Sequence, residues 1–544
     1  MEIQGKIIDV KKREIFPGVI KIENGKIKEI IPVENAPEIF ILPGLINSHV
    51  HIESSMLTPQ RFAEVAVRHG TVGSVCDPHE IANVLGEEGV LYMVENGKES
   101  KFKFFFGVPS CVPATDFENS GSVLDSKAVE KLLHRDDLYF LAEMMNFPGV
   151  IYGDAEVMAK INAAKKLGKR VDGHAPGLRG EELTKYIEAG VETDHEAMEL
   201  EEAEEKIKKG MRILIREGSA AKNFEALYPL IDKYPDKVML CTDDSHPDDL
   251  INWHINEIVK RALAKGLDTF NVLRAATVNP VEFYGLDVGL LQENDPADFI
   301  IIDNLEDFNI LATYINGEKV FDKKTNYVIK HTGNSKKINK FRATKITEEA
   351  LSVKYPGGKL RVIKAFDKQL YTDEILVEPR ISGNYVITDL KRDILKIVVI
   401  NRYTPGSKPA IGFITGFNLQ RGAIASTIAH DSHNIIAIGC SDTEITDAIN
   451  ALIEIKGGIV VNDGMGNIDK IPLDIAGLLT DEDAYTVAEK YKRLKDLAKK
   501  LGTNLNSPMM TLSFMALPVI PKIKMTDKGL FDAQTFKPVD LFVS

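Results

Sequence analysis

Between residues 43 and 284, eight short, apolar, β-prone runs alternate with helix-like segments, and few folds accept that rhythm. The runs are ILPGLINSHVH, TVGSVCD, KFFFGVPS, LYFLAEMMN, KRVDGHA, VETDHE, RILIREG and VMLCTDD. Segments such as PQRFAEVAVRHG, DAEVMAKINAAKKLG and EELTKYIEAG stand between them. Strands that alternate with helices pair in parallel, because each crossover carries the chain back to the same end of the sheet. Eight such units predict an α/β fold, a (β/α)8 TIM-like barrel. An open doubly wound sheet is the other arrangement this pattern fits.

The flanks have a different texture. Residues 1–42 read as short strands, with Asn24-Gly25 as a hairpin signal. Residues 285–325 return to strands, and the two stretches are expected to form one composite β-sandwich split by the barrel at 43–284. HTGNSKKINKFRATK at 331–345 reads as a polar linker. Residues 346–544 mix strands such as GGIVVND with helices such as TEITDAINALIEIK, which predicts a C-terminal α+β domain.

The net charge of −13 argues against nucleic acid, whose phosphates need clustered Lys and Arg. No apolar run reaches the length of a bilayer span, and the first residues lack the apolar core of a signal peptide. Cys76, Cys111, Cys241 and Cys440 lie far apart with no C-x-x-C, so neither a disulfide framework nor a zinc knuckle is indicated. A reducing cytoplasm fits such a set. A thiol nucleophile would need its own base, and Cys76, Cys111 and Cys241, in or near strand ends, are read as packing.

The chemistry concentrates at strand ends. His49 and His51 are separated by one residue, so on a strand they point to one face. That suits two ligands on one metal; it also fits a leftover polar pair. Strand two ends in Asp77 and His79, strand four carries Glu143, strands five and six end in His174 and His195, and strand eight ends in Asp243 and Asp244. In a barrel these ends meet at one mouth. Imidazole with carboxylate favours Zn, Fe or Mn over Ca or Mg. The set exceeds what one metal needs and suits two, with Glu143 as the bridge and Asp243 as an acid–base group. Asp-Asp before Ser-His also fits a helix cap. His69, His134 and His254 fall in or at the ends of helical segments and are read as structural or solvated.

PGLINSHVHIESS, with the later histidines and the strand-eight aspartate, resembles the amidohydrolase superfamily, and NDPADFIIID resembles that family's flanking sandwich. More narrowly, HVHIESSMLTP, CDPHEIANVLG, PSCVPATDFE, AEMMNFPGV, DGHAPGLRG and TGFNLQRGAIASTIAHDSHNIIAIG are similar to the bacterial and archaeal adenine deaminase family, over essentially the whole chain. The resemblance implies hydrolysis of adenine to hypoxanthine and ammonia in purine salvage, by a metal-bound hydroxide attacking C6. It implies a binuclear divalent centre, Mn(II) or Fe(II) ahead of Zn(II). His49, His51 and Asp243 would hold one ion, His174 and His195 the other, and Glu143 would bridge. Many amidohydrolases place a carboxylated lysine at strand four; Glu143 stands there instead, as in adenine deaminases. Asp243 would take the hydroxide proton, and His79, Glu80 or Asp244 would polarise the ring or protonate a ring nitrogen. Glu80 equally fits a first helical turn, where a carboxylate favours the dipole.

Ser110, Asn146 and Ser219 are expected near the substrate. His430 and His433, in AHDSHN, are read as structural by default, with a further metal site, a cap over the mouth or an oligomer contact as alternatives. The expected setting is a cytoplasmic homodimer acting on adenine, with no nucleic acid and no membrane. Two other readings stay open: an amidohydrolase acting on a cyclic amide or N-acetyl substrate, and a non-catalytic metal-binding or scaffold protein.

Overall fold

Parallel strands buried on both faces need near-continuous apolar runs, and the central strands have them. In the computed structural model, which describes residues 1–219, 221–330 and 335–544, these are β1 (Leu45–His51), β2 (Thr71–Cys76), β3 (Lys103–Phe106), β4 (Leu141–Met144), β5 (Val171–Gly173), β6 (Thr193–Asp194), β7 (Arg212–Arg216) and β8 (Val238–Cys241, resuming at Asp243–Asp244). Neighbours pair in parallel from β1 to β3, from β4 to β5 and from β6 to β8. A bridge from Val108 to Leu141 joins β3 to β4, and Glu192 N donates to Val171 O (3.0 Å) between β5 and β6. Asp243 opposite Val50 and Asp244 opposite His51 close β8 onto β1. The circle is complete, so the fold is a barrel and not an open sheet.

Asn47 helps seal that last seam. Its amide donates to Thr242 Oγ1 (2.7 Å) and its carbonyl accepts from Thr242 N (3.1 Å). The expected helices fill the crossovers. Asp125 and Asp154 each cap one by accepting from a backbone N–H in its first turn, and Asp268 caps a helix after β8 in the same way.

Residues 2–43 and 299–328 build one eight-stranded sheet, in which Phe40–Pro43 lies parallel to Glu2–Asp9 and antiparallel to Phe299–Ile302. Alternation divides its side chains. Ile7, Ile41 and Ile301 pack in a cluster with Phe299 and Tyr314, while Ile8, Leu42 and Ile300 join the main core with the barrel. A nine-stranded sheet drawn from residues 359–543 forms the C-terminal region. Residues 331–334 of the expected linker lie outside the described residues.

The C-terminal region sits over the barrel mouth. Tyr491 bonds His246 (2.6 Å), Lys495 pairs with Asp248 (2.5 Å), and Asn434 donates to Asn119 O (2.7 Å). Two of its segments, around His430 and from Phe514 to Ile520, are tied by His430 N donating to Ser513 O (3.1 Å). No helix among the described residues is long and apolar enough to cross a membrane.

Candidate active site

The strand ends bring their polar side chains together under that cover. His49 and His51, two residues apart on β1, approach to 3.2 Å between their Nε2 atoms. Asp243 Oδ1 lies 3.5 Å from His49 Nε2 and 3.2 Å from His51 Nε2. Asp243 adopts a left-handed backbone, φ 54°, where β8 turns towards β1. A non-glycine residue in that region is a small strain held by its surroundings.

Glu143 divides its two oxygens. Oε1 faces His51 Nε2 at 3.2 Å; Oε2 faces His174 Nδ1 at 2.9 Å and His195 Nε2 at 3.4 Å. One carboxylate thus touches both halves of the histidine set. The positions of His174 and His195 are set from behind: Asp194 accepts from Ala175 N and Ala197 N, both at 2.9 Å, and the fully buried Lys206 binds Asp194 (2.9 Å), Glu202 (2.7 Å) and Ala175 O (2.7 Å).

These residues fit a metal centre. Ligands about 2.1 Å from one tetrahedral ion stand about 3.4 Å apart, which is the spacing around Asp243 and Glu143. His49, His195 and Asp243 offer ligand atoms within 4.8 Å of one another, as do Glu143, His174 and His195, and both sets are buried. The electrostatics point the same way. Burial works against ionising Glu143, yet bonds from His174 and His51 hold it well below the usual carboxylate range. Burial likewise opposes ionised Asp243, and Arg216 with the two β1 histidines overrides it. Buried, ionised oxygens facing imidazoles ask for positive charge.

Several wall residues carried no sequence-based expectation. Arg216, at the end of β7 and 1% exposed, grips both oxygens of Glu196 and donates to Asp243 Oδ2 (2.6 Å). Glu196 is the residue after His195, and Arg216 stands with Glu217 near the end of RILIREG, so each had a strand-end signal. From the C-terminal region come Leu370, Asp431, Phe514, Leu517 and Ile520, which wall the cavity with the barrel groups; His430, read from sequence as structural with a cap over the mouth among its alternatives, joins them. Asp431 Oδ1 lies 3.6 Å from His79 Nε2 and 3.6 Å from His430 Nδ1. Burial opposes its charge, but His79 and His430 hold its carboxyl far below the ordinary range.

Glu80 and Asp244 also reach the cavity, joined by Ser54, whose hydroxyl contacts Glu80 Oε1 (3.0 Å) and Asp244 Oδ1 (2.6 Å). Burial raises the pKa of Glu80, against the pull of His430. His79 Nδ1 bonds Asp77 Oδ2 (3.1 Å).

The three expected substrate-side residues sit elsewhere. Ser110 donates to Glu143 O (2.5 Å), Asn146 caps the helix Phe147–Tyr152 by accepting from Gly149 N (2.9 Å), and Ser219 donates to Asp249 (2.6 Å); none walls the cavity. His254 is spent inside the core on Thr71 (2.7 Å) and Asn47 (3.1 Å), and His69 on Leu250 O (2.9 Å). The four cysteines are free and buried. His430 walls the cavity, whereas His433 lies behind it, 3.7 Å from Glu80 Oε2.

Residues 40–320 match the amidohydrolase family, and residues 369–537 match the adenine deaminase C-terminal domain. The adenine deaminase of Methanosarcina mazei is 54% identical over 99% of both chains, and that of Salinibacter ruber 50% identical over the same shares. The chain belongs to the adenine deaminase family of amidohydrolases. The likeness spans both the barrel and the C-terminal region, so the two parts that meet over the cavity are shared with those relatives.

Proposed function

We propose that this protein hydrolyses adenine to hypoxanthine and ammonia, feeding purine salvage, with two divalent ions held by His49, His51, His174, His195, Glu143 and Asp243. The observation that carries the binuclear reading is the division of Glu143, whose one oxygen faces His51 and whose other faces His174 and His195. Divalent ions held by these residues would supply Lewis acidity that makes a water easier to deprotonate near neutral pH. Mn(II) or Fe(II) is proposed ahead of Zn(II), on the family likeness and the mixed imidazole–carboxylate donors.

The chain's own groups supply positioning and proton transfer. Asp243, fixed at Oδ2 by Arg216, presents Oδ1 towards the histidines and accepts the proton of the attacking water there. It then passes that proton towards the leaving amine. Glu80, whose burial favours its protonated form, donates to a ring nitrogen, while Asp244 shares Ser54 with it. His79, held between Asp77 and Asp431, polarises the ring. The apolar cover from Leu370, Phe514, Leu517 and Ile520 excludes water and faces the flat base.

The same proposal divides the chain into 1–42 with 285–325, 43–284 and 346–544, and sets the enzyme in the cytoplasm as a homodimer. Buried, unpaired cysteines support a reducing compartment.

The test is ammonia release from adenine by protein loaded with Mn(II) or Fe(II), with hypoxanthine followed by absorbance. Turnover should fall about 100-fold or more in Glu143→Gln, which keeps shape but loses charge. A folded protein that holds two ions and leaves adenine untouched rules the substrate out.

A further inference from the structure

The mechanism above uses the barrel side of the cavity and leaves part of the opposite wall without a task. Asp431 is 2% exposed and walls the cavity. Its Oδ1 is engaged by His79 and His430, each at 3.6 Å, but its Oδ2 has no hydrogen-bond partner among the described residues. A buried carboxylate oxygen left unpaired is costly, and native proteins rarely keep one without a use. An ionised carboxylate only accepts hydrogen bonds, so the missing partner is a donor.

The position says which donor. His79 spans the interval between the two walls, with Nδ1 3.5 Å from Glu143 Oε1 and Nε2 3.6 Å from Asp431 Oδ1. One imidazole ring and its two contacts thus separate the proposed metal bridge from Asp431, a distance that a flat bicyclic base can reach across. If the amine-bearing carbon of adenine faces Glu143 and Asp243, the five-membered ring faces the C-terminal region. That ring carries the only N–H of the base outside the departing amine. Beside Asp431, the rings of His430 and Phe514 stack at 4.4 Å with 19° between their planes, giving this end of the cavity an aromatic wall.

We propose that Asp431, supplied by the C-terminal region, is a specificity-determining residue that accepts the N–H of the purine's five-membered ring at Oδ2. It thereby selects the free base over bases substituted at that nitrogen. The inference rests on adenine being the substrate. It also gives the C-terminal region a direct part in recognition.

The experiment compares the metal-loaded parent with Asp431→Asn, using adenine as substrate and 9-methyladenine, which lacks the ring N–H, as competing ligand. The amide keeps the shape but replaces one acceptor oxygen by a donor. The expected result is a KM for adenine raised about tenfold or more, a smaller change in kcat and an unchanged content of two ions. The parent should bind 9-methyladenine about tenfold more weakly than adenine, and Asp431→Asn should lose most of that preference. A parental KM in the variant, or a parent that binds both bases equally, overturns the proposal. The comparison within the parent needs no variant, so equal binding of the two bases overturns the proposal even if Asp431→Asn does not fold. Absence of adenine turnover in the parent sinks the functional reading itself; normal turnover with an unaltered KM in the variant sinks only the role of Asp431.

Discussion

Arg216 shows how one residue fixes the chemistry of others. Its guanidinium serves two carboxylates at once, gripping Glu196 through two nitrogens and Asp243 through one. Asp243 therefore has one oxygen committed to Arg216 and one towards the histidines. A lysine keeps the charge but not the planar fork, so it cannot hold both acids in this geometry. Arg216→Lys should fold, keep the parent's metal content and lose about tenfold or more in kcat, as Asp243 drifts from its place. Metal analysis beside steady-state kinetics checks this; a parental kcat would remove Arg216 from the positioning role. Glu196 and Arg216 each stand at a strand end, and a reading that weighed every charged strand-end residue would have found them. Asp431 had no such signal, because its loop becomes part of the site only through tertiary contact.

At the scale of elements, the cover over the cavity is pinned by a buried lysine. Lys524, on the strand Ile523–Thr526, is fully buried and donates to Leu370 O (2.7 Å) and Phe514 O (2.9 Å), the carbonyls of two cavity-wall residues. Burial alone brings its pKa down to about 7. In an unfolded chain the same amine titrates near ~10.4. Between about pH 7 and ~10.4 the unfolded state therefore holds a proton that the native state has released. Stability gains from this group as pH rises across that window, and the gain is lost as pH falls back through about 7. Urea unfolding from pH 6 to 10 should show this slope in the parent and not in Lys524→Met, whose KM for adenine should also rise as the two carbonyls lose their donor. An identical slope in both proteins would show that another group carries it.

At the scale of the whole molecule, the site is a junction: barrel strand ends deliver the histidines and carboxylates, and the C-terminal region covers them with Leu370, the loop at His430 and Asp431, and the segment from Phe514 to Ile520. So many buried acids and imidazoles at one point make the folded chain a strong binder of cations, and the unfolded chain a weak one. Chelation should lower the unfolding midpoint, and Mn(II) or Fe(II) should restore it; free ion at ~1,000 times Kd is worth about 4 kcal/mol. A midpoint indifferent to chelator and metal would contradict the centre. The sequence by itself determined the alternation that makes a barrel, the strand ends that carry His49, His51, Glu143, His174, His195 and Asp243, and the family likeness. It could do so because strand period and crossover order are local, and a strand's end is visible in its own residues. Only the tertiary structure decided that the circle closes through Asn47 and Thr242, that Arg216 binds Asp243 and that Asp431 faces His79. It also took Ser110, Asn146 and Ser219 away from the cavity wall. Those contacts join segments far apart in the chain, and their partners are chosen by packing, which no local pattern records.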